Sequence, residues 1–425
     1  MRRRVRENAL AAGMAGAATL ALGWLGLYGF GWNDYDMEAR PALQALTEGH
    51  VLRFLQLAPV YGGSLIERAP FALAVDVWGG GELAVYRMVA LPCLLAAAGL
   101  GLWLVADLRA RQRTLLTRAL ALGVCVANPL TLSALELGHP EDLLGAVLCV
   151  VAVLLALRDR PLWAGAVLGL AIANKQWALL AAGPVLLAIP GPRLFSRERV
   201  RCAAVALTTA VVVLAPLVLV SAGGFVAATR ATASTSSEIF QPWQAWWFLG
   251  HHGPIVHGLL GNVKVGYRTA PAWIGRISHP LIVALALPLS ALFWWRQRGG
   301  GSSDALGLLA LLMLVRCMLD TWDTSYYALP LIFALLAWEL ARERELPLLA
   351  LAVTVAAWVD YMWLPTHISA DAQAVLFLLW SLPLLATLAM ASRRASDRHD
   401  VRVDDPLLRA RAGPGAIGGQ QLELL

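Results

Sequence analysis

A succession of apolar runs separated by short arginine clusters constrains this chain more than any other feature. Backbone in hydrocarbon must satisfy its own hydrogen bonds, so apolar runs of near-bilayer length fold as helices. Arg109, Arg111, Arg113 and Arg118, then Arg158 and Arg160, then Arg193, Arg197, Arg199 and Arg201, then Arg296 and Arg298, and finally Arg342 and Arg344 fall at alternating ends of these runs. Such clusters mark cytoplasmic ends. The reading is an all-α integral membrane protein of about twelve transmembrane helices with both termini cytoplasmic. With 59% hydrophobic and 15% charged residues, the composition excludes a soluble globular domain. The net charge of +6 does not point to nucleic acid, because the arginines are interleaved with apolar runs that they orient. The 5 cysteines lie in or beside apolar runs with no CxxC pair, which predicts buried thiols and neither a disulfide framework nor a zinc site.

The run from Ala9 to Phe30 follows Arg2, Arg3, Arg4 and Arg6, exceeds the apolar core of a signal peptide, and is read as a retained first helix. Residues 161–190 carry arginines on both flanks. One helix there would run about 45 Å against roughly 30 Å of hydrocarbon, so two short helices meeting at Asn174-Lys175 are expected, with the tip near the outer face. Residues 31–81 and 223–280 form two long extracytoplasmic loops, and Met37 to Leu57 has the spacing of an interfacial helix. Residues 1–391 make one multi-pass domain, and 392–425 are expected to be a disordered cytoplasmic tail.

On this topology the unusual polar residues gather on the outer side. Asp34 and Asp36 follow the first crossing, with Glu38 beside them. One carboxylate suits a general base, and an Asp-x-Asp pair suits a divalent cation such as Mg or Mn held through hard oxygens. The pair shares a face in a strand but diverges by about 200° in a helix, where capping would explain it instead. His139, Glu141 and Asp142 form an outer turn that opens a helix, so acidic first-turn capping competes with a second polar wall of the same cavity. Lys175, at a hairpin tip among apolar residues, requires an anion, either a protein carboxylate or a ligand phosphate.

The second outer loop supplies His251, His252, Lys264, Arg268, Arg276 and His279 after a tryptophan-rich stretch at 243–247. Aromatic rings followed by cations suit a lipid-phosphate ligand, while an aromatic belt on the headgroups accounts for the tryptophans alone. Asp320, Asp323, Tyr326 and Tyr327 close the set, and Arg316 is expected to pair with Asp320 one helical turn away. Acids and bases from separate loops meeting on one membrane side favour a site there. The main rival is a secondary transporter or lipid flippase, for which broken helices and paired repeats are typical, whereas this chain has one broken stretch and no evident repeat.

With these residues in view, the chain resembles the GT-C class of integral-membrane glycosyltransferases that use polyprenyl-phosphate sugars. It is most similar to the glycosyltransferase family 87 type, with mannosyl- and arabinosyltransferase-like members. The resemblance rests on Asp34 and Asp36, on Gly138-His139-Pro140-Glu141-Asp142, on the run from Ala164 to Ala171 leading to Lys175, and on Tyr326-Tyr327-x-x-Pro330. It covers most of the membrane core and is weak over 223–280 and the tail. It implies inverting transfer from a polyprenyl-phosphate sugar to a lipid or glycan hydroxyl at the outer face of the plasma membrane, with Asp34 or Asp36 as base.

Overall fold

Helix boundaries in the computed structural model follow local chemistry closely enough to be argued residue by residue. The structure describes residues 2–28, 34–77, 79–234, 239–257, 263–297, 303–342 and 344–403. In chain order the first helices are α1 (Arg2–Tyr28), α2 (Arg40–Thr47), α3 (Val51–Leu57), α4 (Ser64–Asp76), α5 (Glu82–Ala110), α6 (Leu115–Val126), α7 (Pro129–Glu136) and α8 (Pro140–Leu157). They are followed by α9 (Pro161–Asn174), α10 (Ala182–Ala188), α11 (Arg197–Ala233), α12 (Ala272–Gln297), α13 (Asp304–Leu319), α14 (Ala328–Ala341), α15 (Leu348–Trp358) and α16 (Ala370–Val403). Proline opens α7, α8 and α9, where its missing N–H costs nothing. Asn128 caps α7 by accepting from Leu130 N at 3.0 Å, which marks the break between α6 and α7.

Among the described residues, eight helical segments are long and apolar enough to cross a membrane: Ala9–Tyr28, Glu82–Ala110, Leu115–Glu136, Pro140–Leu157, Arg197–Ala233, Ala272–Arg296, Leu348–Thr366 and Ala370–Met390. Pro161–Asn174, Gln176–Ala188 and Ser325–Ala341 are shorter apolar helices. This is an all-α membrane protein in its architecture. Nearly every residue of α13 and α14 is buried, as is most of α8. Helices apolar on all sides belong at the centre of a bundle, and these three form it. The outer helices α11 and α12 keep Leu207, Val212, Leu219 and Leu287 exposed, as a lipid-facing surface requires.

Long-range pairs sort the bundle into two ends. Arg158, at the end of α8, bonds Asp107 near the end of α5 at 3.0 Å, and Arg342 after α14 bonds Asp304 at the start of α13 at 3.1 Å. These contacts gather the arginine-rich turns at one end. The start of α8, the end of α13 and the start of α14 therefore lie at the other end, about 27 Å away along α8. The stretch 161–190 bends as its length demands. α9 climbs beside α11, with Gly165 and Gly169 letting it press on the backbone at Cys202 and Ala206. Lys175 then breaks the helix with extended backbone (φ −148°, ψ 130°), and a 3-10 turn at Gln176–Ala181 starts the descent through α10. Arg199 fastens the foot by donating to the carbonyls of Leu186 (2.8 Å) and Gly191 (3.0 Å).

Three expectations are corrected. The loop assigned to 223–280 is shorter, because α11 continues through Ala233 past a kink at Ser221 and α12 begins at Ala272. Between them lie short antiparallel pairs, β1 (His251–His252) with β4 (Arg268–Thr269) and β2 (Ile255–His257) with β3 (Val263–Val265). The alanines of 225–233 sustain a helix once Ser221 has turned it. The first outer loop contains α2, α3 and α4, which bury Leu43, Phe54 and Leu65 in a small core of their own. The tail expected to be disordered from 392 begins as helix, since α16 runs to Val403 without a proline after Pro383; residues 404–425 lie outside the described residues.

Candidate active site

The turn between α7 and α8 is where the first outer loop docks. Gly138 adopts φ +85°, a left-handed conformation that favours glycine, and a Cβ there would stand 2.6 Å from the backbone nitrogen of Tyr35. That close approach sets Asp34 and Tyr35 directly over the turn. Tyr35 is buried edge-on against Tyr86 at 4.6 Å, and Tyr86 donates from its hydroxyl to the carbonyl of Leu135. A π-helical turn at Tyr35–Ala39 then separates the acids. Asp34 faces the bundle, whereas Asp36 turns to Arg40 at 3.0 Å, whose other nitrogen meets Glu82 at 2.5 Å.

From Asp34 inward, charges alternate. Asp34 Oδ2 lies 3.0 Å from His139 Nε2, and His139 Nδ1 lies 3.0 Å from Glu141 Oε1. Lys175 Nζ stands 3.0 Å from that same oxygen and 3.2 Å from Asp142 Oδ2. Arg68 of α4 donates to the other Glu141 oxygen at 3.1 Å, and Trp177 donates its indole N–H to Asp142 Oδ1 at 2.9 Å. Asn174 donates to the Glu141 carbonyl at 2.8 Å, tying the hairpin tip to the first turn of α8. Glu141 is fully buried, while Asp34, at the open end, leaves 44% of its side chain exposed.

A histidine with a carboxylate at each ring nitrogen must donate from both, which is the imidazolium form. Burial works against that charge, but the hydrogen bonds to Asp34 and Glu141 outweigh it and raise His139 to about 9. For Lys175, burial is likewise outweighed by Asp142 and Glu141, which hold the ammonium above its ordinary range. Burial raises the carboxyl of Glu38, with His139 and Lys175 pulling the other way. His139, Glu141 and Asp142 hold ligand atoms within 4.8 Å of one another, a spacing that fits a metal ion. Here the Lys175 ammonium already sits against both carboxylates, in the place a divalent ion would take. The Asp34–Asp36 cation pair fares no better, because each acid has its own partner.

A model of glycosyltransferase family 87 matches residues 69–320, more than half of the chain, including the 138–142 turn and Lys175. The chain belongs to glycosyltransferase family 87. No curated protein and no solved structure matches it. A membrane glycosyltransferase takes a sugar donor and an acceptor, so this glycosyltransferase needs a pocket where both meet.

Of the residues singled out from sequence, the structure joins Asp34, His139, Glu141, Asp142 and Lys175, with Tyr326 lining His139 at 4.8 Å between ring centres and Tyr327 next to it. It does not bring Asp36 into that group. No hydrogen bond or ion pair among the described residues links His251, His252, Lys264 or Arg268 to it either. Arg268 forms a two-pronged pair with Asp371 at 2.9 Å on each side, and Lys264 rests on the Tyr267 ring at 4.7 Å. Both histidines stay exposed on β1. The Arg316–Asp320 pair is absent as well: Asp320 bonds His279 at 3.1 Å, and the Arg316 guanidinium lies over Trp177 (4.7 Å) and Tyr327 (3.8 Å). Sequence reasoning missed Arg68, Asn174 and Trp177. Glu38 carried a signal, since residues 34 and 38 share a helical face that 36 does not.

Proposed function

We propose that this family 87 glycosyltransferase moves a sugar from a polyprenyl-phosphate donor to a hydroxyl of a lipid or glycan, with inversion, at the extracytoplasmic face of the plasma membrane. Asp34 is the base. The observation that carries this reading is the position of Asp34 as the exposed end of an otherwise buried chain of alternating charges. Its Oδ2 is held by His139, which orients the carboxylate and leaves Oδ1 for an incoming hydroxyl. As that hydroxyl oxygen bonds to the anomeric carbon, the bond from carbon to phosphate oxygen breaks and the phosphate keeps the electron pair. The hydroxyl proton goes to Asp34. A carboxylate suffices as base because the hydroxyl acidifies as its bond to carbon forms. The leaving group is an anion from the outset and needs a cation, not a general acid.

The outer-face assignment rests on the arginine-rich turns gathering at the opposite end of α8 from the site. A donor anchored in the bilayer reaches a site at the membrane surface without leaving the lipid. Asp34→Asn and Asp36→Asn, assayed separately for transfer from a polyprenyl-phosphate sugar, test the assignment. Loss of about a thousandfold or more in the first, with the second near the parent, is expected. Equal activity in both refutes it, and solute uptake into proteoliposomes without transfer favours a transporter.

A further inference from the structure

We infer that Arg316 is the anion anchor of this site, a guanidinium held between two rings to receive the phosphate of a lipid-phosphate ligand. The inference rests on the donor chemistry proposed above and names the residue that chemistry requires. Arg316 is only 4% exposed, and its buried Nη1 has no hydrogen-bond partner. It cannot shed its charge, since a guanidinium stays protonated in proteins. A buried cation without an acid is normally destabilising, and the cation–π contacts with Trp177 and Tyr327 offset only part of that.

The nearby acids are engaged elsewhere. Asp142 takes the Lys175 ammonium and the Trp177 indole, Asp320 Oδ1 faces His279 and accepts from the backbone of Trp322, and Asp323 accepts from the Tyr361 hydroxyl at 2.5 Å. The other cations first suited to the phosphate are also neutralised, Lys175 by Glu141 and Asp142 and Arg268 by Asp371. Arg316 is thus a buried cation beside the charged chain with donor capacity to spare. Its place fits the reaction, because both rings that hold it are linked to the charged chain, Trp177 directly and Tyr327 through Tyr326. Trp177 bonds Asp142, and Tyr327 adjoins Tyr326, which lies on His139. Trp177 and Tyr327 are both partly exposed, so the stack is not sealed from the surface. When the bond from sugar carbon to phosphate oxygen breaks, the electron pair left on that oxygen is met by the guanidinium, while the proton leaves with Asp34.

The test uses the full-length protein in nanodiscs, comparing the parent with Arg316→Met and Arg316→Lys by thermal unfolding. Farnesyl phosphate, farnesol and inorganic phosphate are the ligands. The parent should be stabilised by farnesyl phosphate and not by farnesol. Arg316→Met should unfold at or above the parent's midpoint without ligand, because it removes a buried guanidinium whose Nη1 has no hydrogen-bond partner. It should also lose at least about tenfold in affinity for farnesyl phosphate, with Arg316→Lys between the two. A purely structural arginine behaves oppositely. If Arg316→Met fails to fold, or unfolds well below the parent and binds farnesyl phosphate as tightly, the inference is wrong. A parent that binds inorganic phosphate through Arg316 but ignores farnesyl phosphate keeps the anion site and removes the polyprenyl donor. A parent that binds neither overturns both.

Discussion

Glu141 is the hub on which the charged chain turns, and Glu141→Gln is the perturbation that tests it most sharply. Its side chain is fully buried and meets three cations: Arg68 at 3.1 Å, His139 at 3.0 Å and Lys175 at 3.0 Å. The amide keeps one acceptor oxygen and adds two N–H donors, so with that oxygen facing His139 and Lys175 the Arg68 contact turns repulsive, and all three cations lose the carboxylate charge. A charge-assisted hydrogen bond contributes about 1.5–3 kcal/mol, and removing one partner of a buried pair costs about 3–5 kcal/mol. Arg68 retains the carbonyl of Ser64 at 3.1 Å, and Lys175 retains Asp142 at 3.2 Å, which places the expected loss near the lower bound, about 3 kcal/mol. Reversible unfolding in mixed micelles measures it. The variant Arg68→Met/Glu141→Gln removes a surplus cation together with the acid, and it should recover at least about 1 kcal/mol of the sum of the single losses. A Glu141→Gln protein within about 0.5 kcal/mol of the parent would show that the three cations do not depend on this carboxylate, and the reasoning fails.

The raised pKa of His139 sets a pH window: its folded value of about 9 lies above the ordinary 6.5, so its contribution to stability is complete below pH 6.5 and lost as pH rises to 9. Unfolding across that interval should show a decline of about 3 kcal/mol that His139→Gln flattens. Gly138→Ala should leave the bundle folded but push Asp34 off His139, lowering transfer by about tenfold or more, because its Cβ meets Tyr35 N at 2.6 Å. Parental transfer by Gly138→Ala would sever the turn from the base. Arg268→Gln should cost at most about 1 kcal/mol, since Asp371 is 38% exposed, and should leave the donor KM unchanged. A raised donor KM would return the second outer loop to the site.

What could be read from the sequence was what local chemistry or a geometric limit decides. The thirty-residue apolar stretch with arginines at both feet had to double back, and it does so at Lys175. An acid after the first crossing and the 138–142 turn were candidates for two walls of one cavity, and Asp34 meets His139. What stayed hidden was the choice among partners. Asp36 could not be separated from Asp34 until the Tyr35–Ala39 turn set them on different faces, one toward Arg40 and the other toward His139. Asp320 lies one helical turn from Arg316, yet it takes His279 from another helix. Arg68 looked like any loop arginine because its partner, Glu141, lies 73 residues away. Such choices depend on which helices pack together, and spacing along one helix does not record that.

The same partner choices bear on how the site holds charge. Burying Glu141 and Asp142 at the start of α8 is tolerable because the helix N-terminus and Lys175 are both positive there. That arrangement neutralises Lys175, so the residue that looked most like a phosphate ligand is the one committed to the scaffold. Its work is to hold the first turn of α8 in place, so that Glu141 can hold His139 and His139 can hold Asp34. A lysine used this way is not replaceable by an external cation without loss of geometry, because its ammonium also ties the break between α9 and α10 to Glu141 and Asp142. Lys175→Met should therefore abolish transfer even when Mg2+ is supplied in excess. Rescue by the ion would mean that charge alone, and not the positioned ammonium, is what Glu141 and Asp142 require.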